Sequence, residues 1–134
     1  MVQEQVMNNE GIGEVVLWLT GGASTRTGKI VCVKTACSAA TASGYASYTQ
    51  SAASGLTLAA IGTITASSAS FANDTVHIVH PFTAAATETV KGHLIVNNEI
   101  TPDALYSVCC YAGDITVESG DTITVTHKIR GKNG

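Results

Sequence analysis

The sequence predicts an all-β protein, an antiparallel, jelly-roll-like β-sandwich of about eight strands with a short N-terminal helix or arm. Two observations lead there. Short β-branched or alternating runs recur about every 8–15 residues, and only one stretch carries a helical period. The breaks between runs, at Asn73-Asp74, Asn97-Asn98 with Thr101-Pro102, and Ser119-Gly120-Asp121, consist of residue types that turns favour. At 134 residues the chain suits one domain able to bury its own core. Within it, residues 1–22 are expected to form the arm and helix, and residues 23–134 the sandwich.

Met1 to Asn9 is polar and reads as an arm. Asn8 or Asn9 can cap a short helix whose apolar stripe is Ile12, Val15, Val16 and Leu19, and Gly21-Gly22 would stop it. From there the pattern turns to β. "KIVCVKT" (Lys29 to Thr35) is a β-branched run, "ACSAATASG" a loop, and "YASYTQS" (Tyr45 to Ser51) alternates as a strand does. "LTLAAIGTITAS" (Leu56 to Ser67) reads as one long strand bent at Gly62. The runs "DTVHIVHPFTA", "ETVKGHLIVNN", "LYSVCCYAG" and "DTITVTHKI" complete the set.

Reactive constellations are sparse. Asp121 and His127 would share a strand face yet stand ~20 Å apart at ~3.3 Å per residue, too far to bond. Asp121 is instead a turn residue leading into the last strand. His127 alternates with Ile123, Val125 and Ile129 and is expected on their face, as a satisfied or rim histidine. The odd separation of His77 and His80 sends them to opposite faces, so a metal would need His93 or a carboxylate brought in by the fold. "GYASYT" is not a nucleophile elbow, and "LTGGAST" and "KGH" lack the spacing of a phosphate loop. Asp74, Glu88, Asp103, Asp114 and Glu118 fall mostly near strand ends. No catalytic, cofactor-binding or metal-ligating set is expected, and the protein is read as no enzyme.

Cys32, Cys37, Cys109 and Cys110 match neither a C-x-x-C redox site nor paired zinc knuckles, and are expected to be small buried hydrophobes kept reduced. Cys109 and Cys110 are adjacent, so a strand points them to opposite faces.

The surface chemistry is mild. Charged residues make up 13% of the chain against a usual quarter or so, while 45% is apolar, much of it Ala and Val. With seven Lys and Arg and a formal charge of −3, the basic footprint of a nucleic-acid binder is missing. "VVLWLTGGA" is shorter than the ~20 residues of a membrane span, and the first twenty residues carry no Lys or Arg. The expectation is a soluble protein made in a cytoplasm, with a neutral, hydroxyl-rich surface suited to packing against other protein.

Four stretches, in order, resemble the small virion structural proteins of tailed bacteriophages, the group that includes capsid decoration (cement) proteins. They are "NNEGIGEVVLWLTGG" (Asn8 to Gly22), "KIVCVKT" (Lys29 to Thr35), "GYA" (Gly44 to Ala46) and the closing "SGDTITVTHKI" (Ser119 to Ile129). Relatives in that group carry more aromatic residues in the middle strands, where this chain has Ala, Ser and Cys. The resemblance implies a homotrimeric β-sandwich without cofactor, assembled in a bacterial cytoplasm and seated on the capsid exterior. Its partners would be itself and the major capsid protein, with no membrane or direct nucleic-acid contact. Val6, Met7 and Trp18 are the expected apolar interface residues, since tryptophan is enriched where interfaces concentrate their energy. Competing readings are a neck, tail or fibre-base component, and a small glycan-binding module. The latter is disfavoured because Tyr106 and Tyr111, the sole close aromatic pair considered for sugar stacking, have an odd spacing that should send them to opposite faces.

Overall fold

The period-two pattern at the end of the sequence becomes a strand of textile-like regularity. Thr122, Thr124, Thr126, Lys128 and Arg130 are exposed, while Ile123, Val125, His127 and Ile129 turn inward. In a computed structural model of the protein, residues 4–7, 9, 28–34, 37–38, 44–50, 63–67, 75–97 and 104–130 are described. Among these residues the strands are β1 (Glu4–Met7), β2 (Gly28–Val33), β3 (Thr63–Ser67), β4 (Thr75–Thr83), β5 (Glu88–Asn97), β6 (Leu105–Val117) and β7 (Thr122–Arg130). Among the described residues the protein is of the all-β class, with almost no helix, and the strand pairs are antiparallel. One sheet has the order β1-β6-β5-β2, the other β3-β4-β7.

The two sheets meet on a hydrophobic cluster. Ile30 and Cys32 of β2 and Val90 and Ile95 of β5 pack with Ile78 and Phe82 of β4 and Val125 of β7. A second cluster lies on the opposite face of the four-stranded sheet, built from Val31, Val33, Leu94, Val96, Leu105 and Val108. Covering both faces explains why β5 is buried without interruption from Gly92 to Asn97. A strand with cores on both sides reads as a continuous apolar run rather than an alternation.

Tyr48 and Tyr45 cover that second cluster, and here the expected strand at Tyr45 to Ser51 is corrected. The chain makes a single 3₁₀ turn at Tyr45–Ser47, then one bridge between Gln50 and Val33. The two tyrosines are three residues apart, which matches one 3₁₀ turn and puts both rings on one side. A strand would have separated them. Tyr48 donates its hydroxyl to the Ser38 carbonyl at 2.7 Å, and Tyr45 donates to Gln50 Oε1 at 2.9 Å.

Two connections between the sheets are stapled together. The Gly120 amide donates to the Ala84 carbonyl at 2.7 Å and the Ala84 amide to the Asp121 carbonyl at 2.9 Å. Asp121 is the turn residue its sequence context predicts, its carboxylate accepting the Glu118 amide at 2.8 Å. Gly120 supplies the positive φ, +94°, that this turn needs. Pro81 sits in β4 beyond Val79, the last residue that pairs with β3 among the described residues.

Two further expectations, the arm and the end of the strand at Gly113, meet the structure differently, and two others fall wholly or mostly on residues that are not described. Glu4–Met7, part of the expected arm, is an outer strand of the four-stranded sheet, with Val6 opposite Val108 and Met7 opposite Ser107. Of the expected helix from Asn8 to Gly22, Asn9 is described and is helical, while the rest, Trp18 with it, lies outside the described residues, as does the expected bend at Gly62. Gly113 does not end its strand, because β6 runs on to Val117. Among the described residues no helix is long and apolar enough to cross a membrane.

Candidate functional site

The polar residues that matter are the ones strand alternation carries inward. His127 sits on the inner face of β7 between Val125 and Ile129, fully buried. His93, on β5, faces it from the other sheet at 2% exposure. Cys32 of β2 and Cys109 of β6 are the cross-strand neighbours of His93 on either side, so Cys32, His93 and Cys109 form one row across the sheet.

His93 Nε2 lies 2.8 Å from His127 Nδ1, the rings edge to face at 87°. On its other side His93 Nδ1 lies 3.1 Å from the Tyr111 hydroxyl. Two proton arrangements satisfy this chain. Either the Tyr111 hydroxyl donates to Nδ1 and His93 Nε2–H donates to His127, or each bond runs in reverse. Both keep both imidazoles neutral.

Burial enforces that neutrality. Loss of hydration, followed by the like charge of His127, lowers His93 from 6.5 to about 3. Burial alone lowers His127 to about 4. The Tyr111 phenol is pushed well above its ordinary value by burial first, then by Cys32 and Cys109. Burial, helped by Glu88, raises the Cys32 thiol to about 12, so it stays protonated and inert.

A cleft of about 370 Å³ opens beside this chain, lined by His93, Tyr111, Gly113, Ile115, Ile123 and Val125 among others. A register break creates its wall. Val90 pairs with Ile115 but Gly92 pairs with Cys110, so the single residue Lys91 faces the four residues 111–114 of β6. Lys91 bridges the bulge to Asp114 at 3.1 Å. His93 has both ring nitrogens engaged, which leaves it no lone pair for a substrate proton or a metal. Among the described residues no group of three His, Cys, Asp or Glu is placed to hold a metal ion.

The other sequence candidates disperse. His80 stacks edge-on against Phe82 at 4.8 Å, while His77, an odd number of residues away, lies on the opposite face of β4. Glu88 pairs with Lys34 at 3.5 Å. Asp74 and Asp103 lie outside the described residues, and so does Trp18; Met7 is half-buried on β1.

Two corrections follow. Tyr106 and Tyr111 both pack against the inter-sheet cluster rather than on opposite faces. A register shift between Ile95 and Val96 places an extra residue, Tyr106, on β6, and a bulge re-aims the side chain it carries. The cysteines are not all reduced either: Cys37 and Cys110 form a disulfide, while Cys32 and Cys109 are buried thiols outside it. Sequence reasoning missed the bridge because Cys37 lies in a loop with no period. The His93–His127 contact left a faint signal, since each is a lone histidine on an apolar strand face and buried polar groups need partners.

Comparison of the chain with protein-family models, with curated proteins and with solved structures gives no match in any of the three.

Proposed function

We propose that the chain is a non-enzymatic structural protein of a tailed-bacteriophage virion. In this reading it is a jelly-roll-like β-sandwich that assembles as a homotrimer on the capsid exterior and reinforces contacts between major capsid subunits. One observation carries the structural half of the reading. The Tyr111–His93–His127 chain uses its hydrogen-bonding capacity to join one sheet to the other, and burial holds the histidines neutral. Side chains arranged this way maintain a shape.

Other features support the same reading. The two sheets share a cluster, and the chain crosses between them from β2 to β3, β4 to β5 and β6 to β7, as a rolled sandwich does. The outward row of β7 carries Thr122, Thr124 and Thr126 before Lys128 and Arg130, so its first part is a neutral, hydroxyl-bearing surface suited to packing against protein. β1, with Val6 and Met7, is an outer strand of its sheet among the described residues, and it is where we place a neighbour's contact. Many symmetry-related copies on a lattice bind with an avidity no single contact has. The virion assignment itself comes from the sequence resemblance.

The neck, tail or fibre-base reading uses the same fold and differs in copy number. Tyr106 and Tyr111 both pack against the inter-sheet cluster, which speaks against the two rings serving as a paired surface platform for a glycan module. Quantitative mass spectrometry of purified source particles separates the readings. Decoration predicts on the order of hundreds of copies per particle, whereas about a dozen moves the protein to the neck or tail. Its absence from the particle overturns the virion reading.

A further inference from the structure

The outer face of the four-stranded sheet carries a covalent fastening that the virion reading does not require. Val33, Gly92 and Cys110 form one row across β2, β5 and β6. Cys37, four residues beyond Val33, turns back over that row and bonds to Cys110, its Cα 5.4 Å away. The bridge therefore straddles β5, and it crosses at a glycine. A Cβ on Gly92 would stand 2.9 Å from Cys37 Sγ and 2.5 Å from the Cys109 carbonyl oxygen. The strand has a gap where the sulfurs pass.

The fastening holds a cover. Ser38, next to Cys37, accepts the Tyr48 hydroxyl, and the Lys34 amide donates to the Thr49 carbonyl at 3.0 Å. Beneath Tyr48 lie Val31, Val33, Leu94, Val96 and Val108. The remaining thiols are isolated from this bridge. Cys109 follows the opposite face of β6, and both Cys109 and Cys32 are buried on the inter-sheet side with the Cys32 thiol protonated. Thiol exchange within the chain therefore has no path, and opening and closing of the bridge stay between two states.

We infer that Cys37–Cys110 is a redox latch: oxidised, it clamps the segment around Cys37–Ser38 and Tyr45–Gln50 over the apolar outer face of β2, β5 and β6; reduced, it lets that cover lift. A small-molecule thiolate attacks Cys37, the half-buried sulfur, because Cys110 is nearly closed to solvent. A mixed disulfide forms on Cys37, and Cys110 leaves as a thiolate that takes up a proton. A second thiol then attacks the mixed disulfide, releasing the Cys37 thiol and a small-molecule disulfide. Two thiols are oxidised and one protein disulfide is reduced by two electrons and two protons. Reducing cytoplasm opens the latch, and oxidising surroundings close it.

The test compares air-oxidised protein with protein treated with excess dithiothreitol, using thiol counting and hydrogen exchange by mass spectrometry. The inference expects two thiols before reduction and four after. On reduction, exchange in peptides spanning residues 44–50 should quicken roughly tenfold or more, while β4 and β7 keep their protection. Reoxidation should restore the slow rates. In Cys110→Ser protein, a small-molecule disulfide should label Cys37 in preference to Cys32 or Cys109. Four thiols in the oxidised protein overturn the inference. So does unchanged exchange at residues 44–50 with four thiols free, or loss of protection throughout β4 and β7, which would make the bridge a staple of the whole fold. The dithiothreitol arm needs no substitution, so it decides even if Cys110→Ser fails to fold.

Discussion

His93 and His127 sit on different sheets, 34 residues apart in the chain, and share a 2.8 Å hydrogen bond between ring nitrogens in the buried interior. Burial lowers the pKa of both, so each is held neutral near pH 7. Stability therefore depends on pH in a defined direction. In the unfolded chain a histidine takes up a proton near 6.5, whereas the folded protein holds His93 down to about 3 and His127 down to about 4. Between the unfolded and folded values the unfolded state binds more protons, so the stability is present well above 6.5 and is lost as pH falls from there toward about 4 for His127 and about 3 for His93. Two such groups make the protein about 4 kcal/mol less stable at pH 5 than at pH 7. Urea unfolding at a series of pH values measures this, and a flat profile from pH 7 to 5 would contradict it.

Replacing one histidine should hurt more, in proportion, than replacing both. His93→Leu removes the partner of both His127 Nδ1 and the Tyr111 hydroxyl, a loss of about 1–3 kcal/mol for each buried group left without its bond. In His93→Leu/His127→Leu the imidazole pair disappears together, so the double variant should cost less than the sum of the singles by about 1 kcal/mol or more. Additive costs would show that the bond contributes nothing beyond packing.

Gly92→Ala should be among the most damaging single substitutions in the chain. The added methyl meets the backbone oxygen of Cys109 and the sulfur of Cys37, and the first of these cannot move without breaking the β5–β6 ladder. A loss of about 1–3 kcal/mol is expected. Gly44→Ala and Gly113→Ala, where a Cβ meets nothing, serve as controls that should melt near the parent temperature.

Asp121→Ala tests the turn that joins β6 to β7. Its carboxylate accepts the Glu118 amide, and its backbone ties this turn to the β4–β5 connection at Ala84. Losing only the side-chain bond should cost about 1 kcal/mol. Asp121→Asn, which keeps an acceptor, should recover most of it in the same thermal melts.

How much of this was legible beforehand depended on the range of the interactions involved. The inward row Ile123, Val125, His127, Ile129 was plain, because alternation is set by a strand's own geometry. Asp121 was plain too, since its turn chemistry is local. The pair Tyr45 and Tyr48 misled, because over seven residues a spacing of three is hard to tell from a loose alternation. The tyrosines 106 and 111 misled for a different reason: a bulge at Tyr106 changes which face a side chain takes, and nothing in the sequence marks its position. The His93–His127 contact was only faintly legible, as two histidines on apolar strand faces that each need a partner, and the Cys37–Cys110 bridge was not legible, because both pairings are set by which strand lies against which.

The proposed role has a direct mechanical readout. Purified protein is mixed with undecorated shells from the source particle, bound copies are counted, and the shells are heated until they rupture. Saturable, stoichiometric binding with a higher rupture temperature at full occupancy is the predicted result. Full occupancy with an unchanged rupture temperature would contradict the reinforcing role.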